Sequence, residues 1–464
     1  MAGPYSQKPL RIAKPGDCHK RVMGMLIKFA ALLVAVLSTV PAVVFAEQPA
    51  SVVTEAQDTA ETAENSTESD SLPSPYSPSV EGGDSVTDDL AQEDLSVGGL
   101  LSAHPIRKFF SPWFDAKRSL NEKFGIKLQL SYQTLYQYAG DSPGKEEAAA
   151  GRAEIQGTWT LLGRGTKNPG LLSFRLEHRH RLGTEIPPTK LGGEFGSATP
   201  TGTGFSDFGS SLSELAWRQT LFDGTLKLAA GKISALSWYN FHALSSSKTG
   251  FQNTALQSSL SKPVPGRGIG GGFGVRLGSQ FVAVAGIHDA NARTPDSPFD
   301  TIDENEFYQS LELRWLLTNF ERSRWDKVTL QLWHQDKRKD LGIKAGHGVT
   351  FAASRMFQDF WMPFVLGGVS DGDTSIFEAD LIVGIGMGFH HRDGLPRDVL
   401  AFAIGWGKPS NALLQDQYTA EVFYRFPLFE KLVITPSAQL VINPAASPDE
   451  EAVLVLGARM RLTF

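Results

Sequence analysis

The sequence predicts an all-β protein: a sixteen-stranded antiparallel transmembrane β-barrel with a short N-terminal helix and a disordered acidic N-terminal extension. Three observations lead to this prediction. Long segments alternate between apolar and polar residues, and 46 of the 464 residues are glycine, which exceeds the usual share of about 7%. The chain also ends on an aromatic residue, Phe464, that completes an alternating stripe.

The clearest alternation lies between Ile126 and Tyr138, where even positions are mostly apolar or aromatic and odd positions mostly polar. This period of two predicts a strand with one apolar and one polar face. Similar stripes recur up to the C-terminus. Strands of about ten residues exceed the usual five or six of soluble sheets and are long enough to cross a bilayer at a tilt. A soluble β-sandwich also alternates, but strand length and the aromatic residues near stripe ends favour the membrane barrel.

The connections between these strands divide into two sets. Tight links occur at Asp223-Gly224 and at 278–280, whereas 183–212, 234–266 and 289–306 are long. An even number of strands returns both chain ends to the same side, as in bacterial outer-membrane barrels. We assign sixteen strands to residues 126–138, 152–162, 171–182, 213–222, 225–233, 267–277, 281–288, 307–317, 326–335, 347–356, 360–369, 378–389, 398–406, 416–426, 432–442 and 451–464.

Residues 1–46 have the pattern of a secretory signal peptide. A basic stretch precedes the apolar run from Phe29 to Val40, and Val44 and Ala46 are small residues suited to cleavage near Ala46. A membrane anchor is the alternative, although the run is short for crossing a bilayer. We therefore expect export to the bacterial outer membrane. Cleavage would remove Cys18, the only cysteine, so no disulfide is expected.

Residues 47–100 contain thirteen acidic residues and no Lys or Arg. With no sustained apolar period, they are predicted to be a disordered linker, either a spacer or an arm for basic partners. The barrel domain then comprises residues 101–464. It is predicted to begin with a helix over 111–124, capped by Ser111, with Pro112 in the first turn and Gly125 after its end.

If the apolar stripes face lipid, the polar positions face the lumen. Guanidinium groups and carboxylates supply many hydrogen-bond donors and acceptors for sugar hydroxyls, and mixed signs suit a neutral polar solute. The alternative is that these charges only hydrate the lumen and pair with each other. The candidate pore-lining residues are Arg175, Glu177, Arg179 and Arg181 on one strand, Glu214 and Arg218 on the next, and Glu312 and Arg314 farther along.

The sequence gives weaker support for metal binding, catalysis or nucleic-acid binding. His178 and His180 have a metal-binding spacing but share the lipid-side register of Leu176. Asp371 and Asp373 fit a polar turn better than a calcium site. We find no set of Ser, His and acidic residues on one strand face, so we predict no catalytic residues, no metal and no cofactor. A net charge of -6 gives no reason to expect a nucleic-acid partner.

Several segments carry a family resemblance: RDGLPRDVLAFAIG (392–405), QYTAEVFYRFPLFEKLVITPSAQLVINPA (417–445) and VLGARMRLTF (455–464), with FDAKRSLNEKFGIKLQLSYQ and LFDGTLKLAAGK earlier. The chain resembles the carbohydrate-selective porins of OprB type over about 101–464. The resemblance implies a sixteen-stranded outer-membrane barrel, narrowed by inward loops, that passes sugars such as glucose by passive diffusion. Its expected partners are carbohydrate solutes and outer-membrane lipid.

The sequence leaves three alternatives open. The first is a general or anion-preferring porin, which the arginines on residues 171–182 favour. The second, less favoured, is an outer-membrane enzyme or structural tether. The third concerns assembly, since the barrel could be a homotrimer or a monomer.

Overall fold

A computed structural model of the chain describes residues 81–82, 85–94, 104–371, 373–388, 391–392, 395–396, 398–429 and 431–464. The predicted signal peptide, its cleavage site and the first part of the predicted linker lie outside these residues. Within them, sixteen strands form one closed antiparallel barrel. This confirms the predicted fold class.

The three strands with the weakest alternation, predicted at 225–233, 267–277 and 347–356, are present. All sixteen strands agree closely with those expected from the alternation. Their bounds are β1 Ile126–Ala139, β2 Glu147–Leu162, β3 Gly170–Arg181, β4 Gly209–Leu221, β5 Leu226–Ile233, β6 Gly268–Leu277, β7 Phe281–Asp289, β8 Phe307–Leu316, β9 Lys327–Gln335, β10 Gly346–Ser354, β11 Trp361–Asp371, β12 Phe377–Met387, β13 Val399–Pro409, β14 Gln417–Phe429, β15 Leu432–Ile442 and β16 Ala452–Thr463.

Each strand pairs with its neighbour in the chain, and β1 pairs with β16 to close the barrel, with Tyr132 opposite Leu462. We call the end where β1 begins the terminal end and the opposite end the loop end. The tight turns lie at the terminal end, where Gly224 and Gly278 have φ of 87° and 71°, a conformation that glycine adopts without strain. The long connections 182–208, 234–267 and 290–306 all lie at the loop end.

The barrel wall inverts the burial pattern of a soluble protein. On β1, Gln129, Gln133 and Gln137 are fully buried, whereas the outward Leu176 on β3 and Leu311 on β8 are 48% and 52% exposed. An apolar outer face of this kind suits lipid. No helix in the described part of the chain is long and apolar enough to cross a membrane.

One side of the wall departs from the predicted pattern of polar residues facing inward. On β13, the inward residues Val399, Ala401 and Ala403 are apolar and fully buried. They form a cluster with Phe251 and Leu256 of the connection 234–267, which we call the lumen loop. These inward positions are apolar because a folded loop, rather than water, covers them.

The N-terminal helix is longer than predicted. Helix α2 is His104–Phe124, so it begins seven residues before Ser111, and Pro112 lies inside it instead of in its first turn. The predicted start was therefore wrong. Pro105, the second residue of the helix, occupies a position where the missing N–H of proline costs nothing.

The prediction of disorder over 47–100 is also wrong for some of its residues. Val86–Asp94 form a helix, α1. With residues 81, 82 and 85 it makes up what we call the acidic segment, whose described side chains are nearly all buried. This is possible without an apolar period because its carboxylates pair with cations of the barrel, as described below.

Candidate functional site

The inward face of β3 carries three of the predicted pore-lining residues, Arg175, Glu177 and Arg179, which we call the charge ladder. The antiparallel register places Arg152 opposite Arg179 and Glu154 opposite Glu177 on the neighbouring strand β2. Arg152 Nη2 lies 2.7 Å from Glu154 Oε1, and its Nε lies 3.1 Å from Glu177 Oε2. Arg179 Nη2 is 2.9 Å from the same Glu177 oxygen. The ladder is thus a network of alternating, paired charges across two strands.

Glu214 and Arg218 continue this network on β4. Arg218 Nη2 lies 2.8 Å from Glu214 Oε1, to which the Ser173 hydroxyl also donates at 2.9 Å. The other Glu214 oxygen pairs with Arg267 at 3.3 Å. Glu214, Arg218 and Arg267 are all buried in the barrel, so the structure brings the predicted residues of β3 and β4 together.

Arg181 lies apart from this network. Its side chain is 50% exposed at the loop end, where Nε is 2.9 Å from Asp207 Oδ2. Its Nη1 donates to the Glu185 carbonyl at 2.7 Å. Arg181 therefore contacts the connection 182–208 and not the interior.

Glu312 and Arg314 on β8 hold the lumen loop. Arg314 Nε lies 2.6 Å from Glu312 Oε1. Glu312 accepts a hydrogen bond from the Asn240 amide at 2.7 Å, and Arg314 donates to the Trp238 carbonyl. Both side chains are buried and bind the loop backbone.

Further anchors of the lumen loop were not among the predicted residues. Asp380 on β12 accepts hydrogen bonds from the Ser259 hydroxyl at 2.7 Å, the Leu260 amide at 2.5 Å and the Ser261 hydroxyl at 2.8 Å. Glu421 on β14 accepts from the Gln252 and Asn253 amides at 2.8 Å and 2.9 Å. Arg459 on β16 donates to the carbonyls of Ser247 and Gly250 at 2.8 Å and 3.0 Å.

The sequence did contain a signal for these anchors, because Glu421 and Arg459 occupy polar positions of alternating strands. What it could not reveal is that their partners are loop backbone atoms instead of solute. The loop also carries His242, whose ring stacks on Phe364 with centroids 4.1 Å apart. Burial lowers the pKa of His242 to about 3, so this side chain is neutral in the folded loop.

Lys248 connects the lumen loop to the charge ladder and to the acidic segment. Its Nζ lies 3.0 Å from Glu154 Oε2 and 2.5 Å from Asp89 Oδ2. The same Asp89 oxygen is 2.9 Å from Arg175 Nη2. Burial alone would raise the pKa of Asp89, but the Lys248 and Arg175 cations outweigh it and lower that pKa below its ordinary value.

Two more carboxylates of the acidic segment pair with barrel cations. Glu81 forms an ion pair with Arg218, and Asp88 forms one with Arg324. The acidic segment thus contacts two of the predicted site residues, Arg175 and Arg218. The sequence showed its charge but not its location.

The two histidines with a metal-binding spacing form hydrogen bonds to hydroxyl groups. His180 Nε2 lies 3.2 Å from the Tyr132 hydroxyl, and His178 Nδ1 lies 2.9 Å from the Ser210 hydroxyl, both on the outer side of the wall. Among the described residues, no group of three or more His, Cys, Asp and Glu side chains could hold a metal ion.

Comparison with known proteins identifies a family. The sequence model of the family 'Carbohydrate-selective porin, OprB family' matches residues 162–347 and 322–464. The high-pH structure of Pseudomonas putida OprB is 14% identical with a TM-score of 0.62, covering 76% of this chain and 97% of that chain. Its low-pH structure is 15% identical with a TM-score of 0.42, covering 76% and 96%. A mutant of the Rh. blastica porin is 12% identical with a TM-score of 0.44, covering 73% and 100%. At such identities the structural likeness shows the fold alone. Curated proteins give no match.

Proposed function

Because the chain belongs to the carbohydrate-selective porins of the OprB family, we propose that it is a passive channel for monosaccharides such as glucose. Family and barrel fold together imply the bacterial outer membrane and a channel rather than an enzyme. The direction of net flux is set by the sugar gradient, from outside into the periplasm when sugar is more concentrated outside.

The observation that carries this proposal is the pairing of charges along the ladder. Arg179 and Arg152 both contact Glu177, so donors and acceptors are presented side by side at fixed positions. A sugar needs both, because each hydroxyl donates one hydrogen bond and accepts others. Paired charges also produce a weaker field than an unpaired row of arginines, which favours neutral solutes over ions.

An anion-preferring porin is the second candidate, and one observation supports it. The carboxylates of the acidic segment form ion pairs with Arg175, Arg218, Lys248 and Arg324, so cations in the lumen bind anionic groups. A carboxylate or phosphate on a small solute could contact the same cations.

The test is the current through single channels of the full-length protein in planar bilayers. Glucose should block the open-channel current in a saturable manner, and a potassium chloride gradient should give little ion selectivity. Strong anion selectivity without any block by sugar would favour the second candidate. A protein that never conducts, in any variant, would contradict both.

Arg179 allows a sharper test because it contacts Glu177 without contacting the acidic segment. Arg179→Ala should weaken the block by glucose about tenfold, the value of one hydrogen bond to a charged group. Arg181→Ala, two residues along the same strand but half-exposed at the loop end, is the matched control and should leave the block unchanged. Equal effects of the two substitutions would remove the charge ladder from the sugar path.

A further inference from the structure

The acidic segment forms ion pairs with residues that are proposed to contact the solute. Asp89 bridges Arg175 of the ladder and Lys248 of the lumen loop at 2.9 Å and 2.5 Å, and the Gln156 side chain donates to it at 3.2 Å. Glu81 pairs with Arg218 on β4. The segment therefore spans the network from β2 to β4.

Burial shows that the side chains at this point are covered by protein. Arg175 and Lys248 have exposed fractions of 0% and 1%, and Gln156 has 1%. A water molecule does not reach these side chains, and a sugar is larger than water. In this state, protein atoms cover the side chains that a solute would touch.

The contacts that hold the segment are ion pairs of its carboxylates and the burial of two apolar side chains of α1, Val86 and Leu90. Among the described residues, the backbone contributes the bond from the Gly82 amide to the Ser237 carbonyl at 3.0 Å. At Gly82 the chain passes so close to Phe241 that an added Cβ would clash with its ring. The segment is thus shaped to its site, where ion pairs act together with apolar packing.

We propose that Arg175, Arg218, Lys248 and Arg324 form an acidic-peptide site inside the channel, and that the acidic segment of the same chain binds there as a tethered plug. The channel is closed while the plug is bound and conducts when it leaves. This inference rests on the proposed channel function, because it assigns a regulation to the same lumen.

The chain geometry allows the plug to leave without unfolding the barrel. Nine residues separate Asp94 from His104, enough to span about 30 Å when extended. Helix α2 joins β1 at the terminal end, where the Phe110 and Phe464 rings lie 4.6 Å apart. Release therefore requires breaking the ion pairs and moving the segment toward the terminal end, while the wall and the lumen loop stay in place.

The experiment compares single-channel openings of the full-length protein with those of a triple variant, Glu81→Gln, Asp88→Asn and Asp89→Asn. These substitutions keep side-chain size but remove the charges, and the ratio of open to closed time should rise about tenfold or more. The matched control neutralises three acidic residues earlier in the extension, Glu61→Gln, Glu64→Gln and Asp70→Asn. It should behave like the unaltered chain.

Each outcome is decisive. Equal openings in the unaltered chain and the triple variant would overturn the plug, and so would an equal rise in the control, since net charge would then explain it. No openings in any of the three proteins would instead contradict the channel function.

A second measurement supplies the plug as a separate peptide. A synthetic peptide of residues 81–94, added to the triple variant on the side of the terminal end, should restore closure in a concentration-dependent manner. The peptide carrying the three neutral substitutions should not. Failure of the charged peptide to close channels that conduct would contradict an acidic-peptide site.

Discussion

Two segments occupy the barrel lumen, the lumen loop and the acidic segment, and they are attached in different ways. Both ends of the lumen loop continue directly into strands, β5 and β6. Wall carboxylates and guanidiniums such as Asp380 and Arg459 bind its backbone or its hydroxyls. The acidic segment is followed in the chain by α2 and β1, so one of its ends leads to the wall. Its contacts with the lumen include ion pairs between its own carboxylates and cations.

This difference separates a permanent constriction from an exchangeable one. Backbone groups of the loop that lost their wall partners would be left buried without a hydrogen bond, which costs about 1–3 kcal/mol for each group. When the acidic segment leaves, its carboxylates lose their contacts with the lumen cations but are hydrated by water and screened by salt ions instead. Loop and segment therefore narrow the same lumen with different lifetimes.

The largest expected effect is the loss of a loop anchor. Asp380→Ala removes the acceptor of three hydrogen bonds from 259–261 and should lower the free energy of unfolding by about 3 kcal/mol or more. The loosened loop should also raise the conductance of the open channel. Urea unfolding and single-channel currents measure the two effects.

The neighbouring Glu378→Ala is the control for that substitution. Glu378 pairs with Lys408 at 3.2 Å with both side chains more than 30% exposed, so its loss should cost about 1 kcal/mol or less. A similar loss of stability in both variants would mean that Asp380 is not a special anchor of the loop.

An intermediate effect is expected from salt. Raising ionic strength from about 0.1 M to 1 M shortens the Debye length from about 10 Å to 3 Å, which stabilises the released acidic segment. The unaltered chain should open several-fold more often, after correction for electrolyte conductivity. In the triple variant, which lacks the three carboxylates of Glu81, Asp88 and Asp89, the open fraction should stay constant. A loop-driven closure would show no such difference between the two proteins.

The smallest effect concerns the helix cap of the acidic segment. The Ser85 hydroxyl accepts a hydrogen bond from the Asp88 amide at 3.1 Å at the start of α1. Ser85→Ala should destabilise the bound helix by about 1 kcal/mol and raise the ratio of open to closed time about fivefold. Ser85→Thr retains the hydroxyl and should change that ratio less. An effect of Ser85→Ala equal to that of the triple variant would mean that the three charges do not contribute more to the attachment than the helix cap.

The sequence by itself determined the wall of this protein. A strand in a barrel has one face toward lipid and one toward the lumen. Apolar and polar residues therefore alternate along it, and this pattern is visible in the sequence of each strand. That is why strands such as β15, and turns such as the one containing Gly224, could be placed from the chain alone. The alternation also places Arg175, Glu177, Glu214 and Arg218 on polar faces, and all four are buried in the barrel.

Only the tertiary structure decided what those inward residues contact. Spacing along a strand specifies a face but not a partner: Arg175 meets Asp89, 86 residues away, and Ser259 meets Asp380, 121 residues away. The apolar inner face of β13 and the helix of the acidic segment likewise depend on contacts that form only when the barrel closes around them. Local periodicity therefore predicted the barrel, while long-range pairing of buried charges determined what fills it.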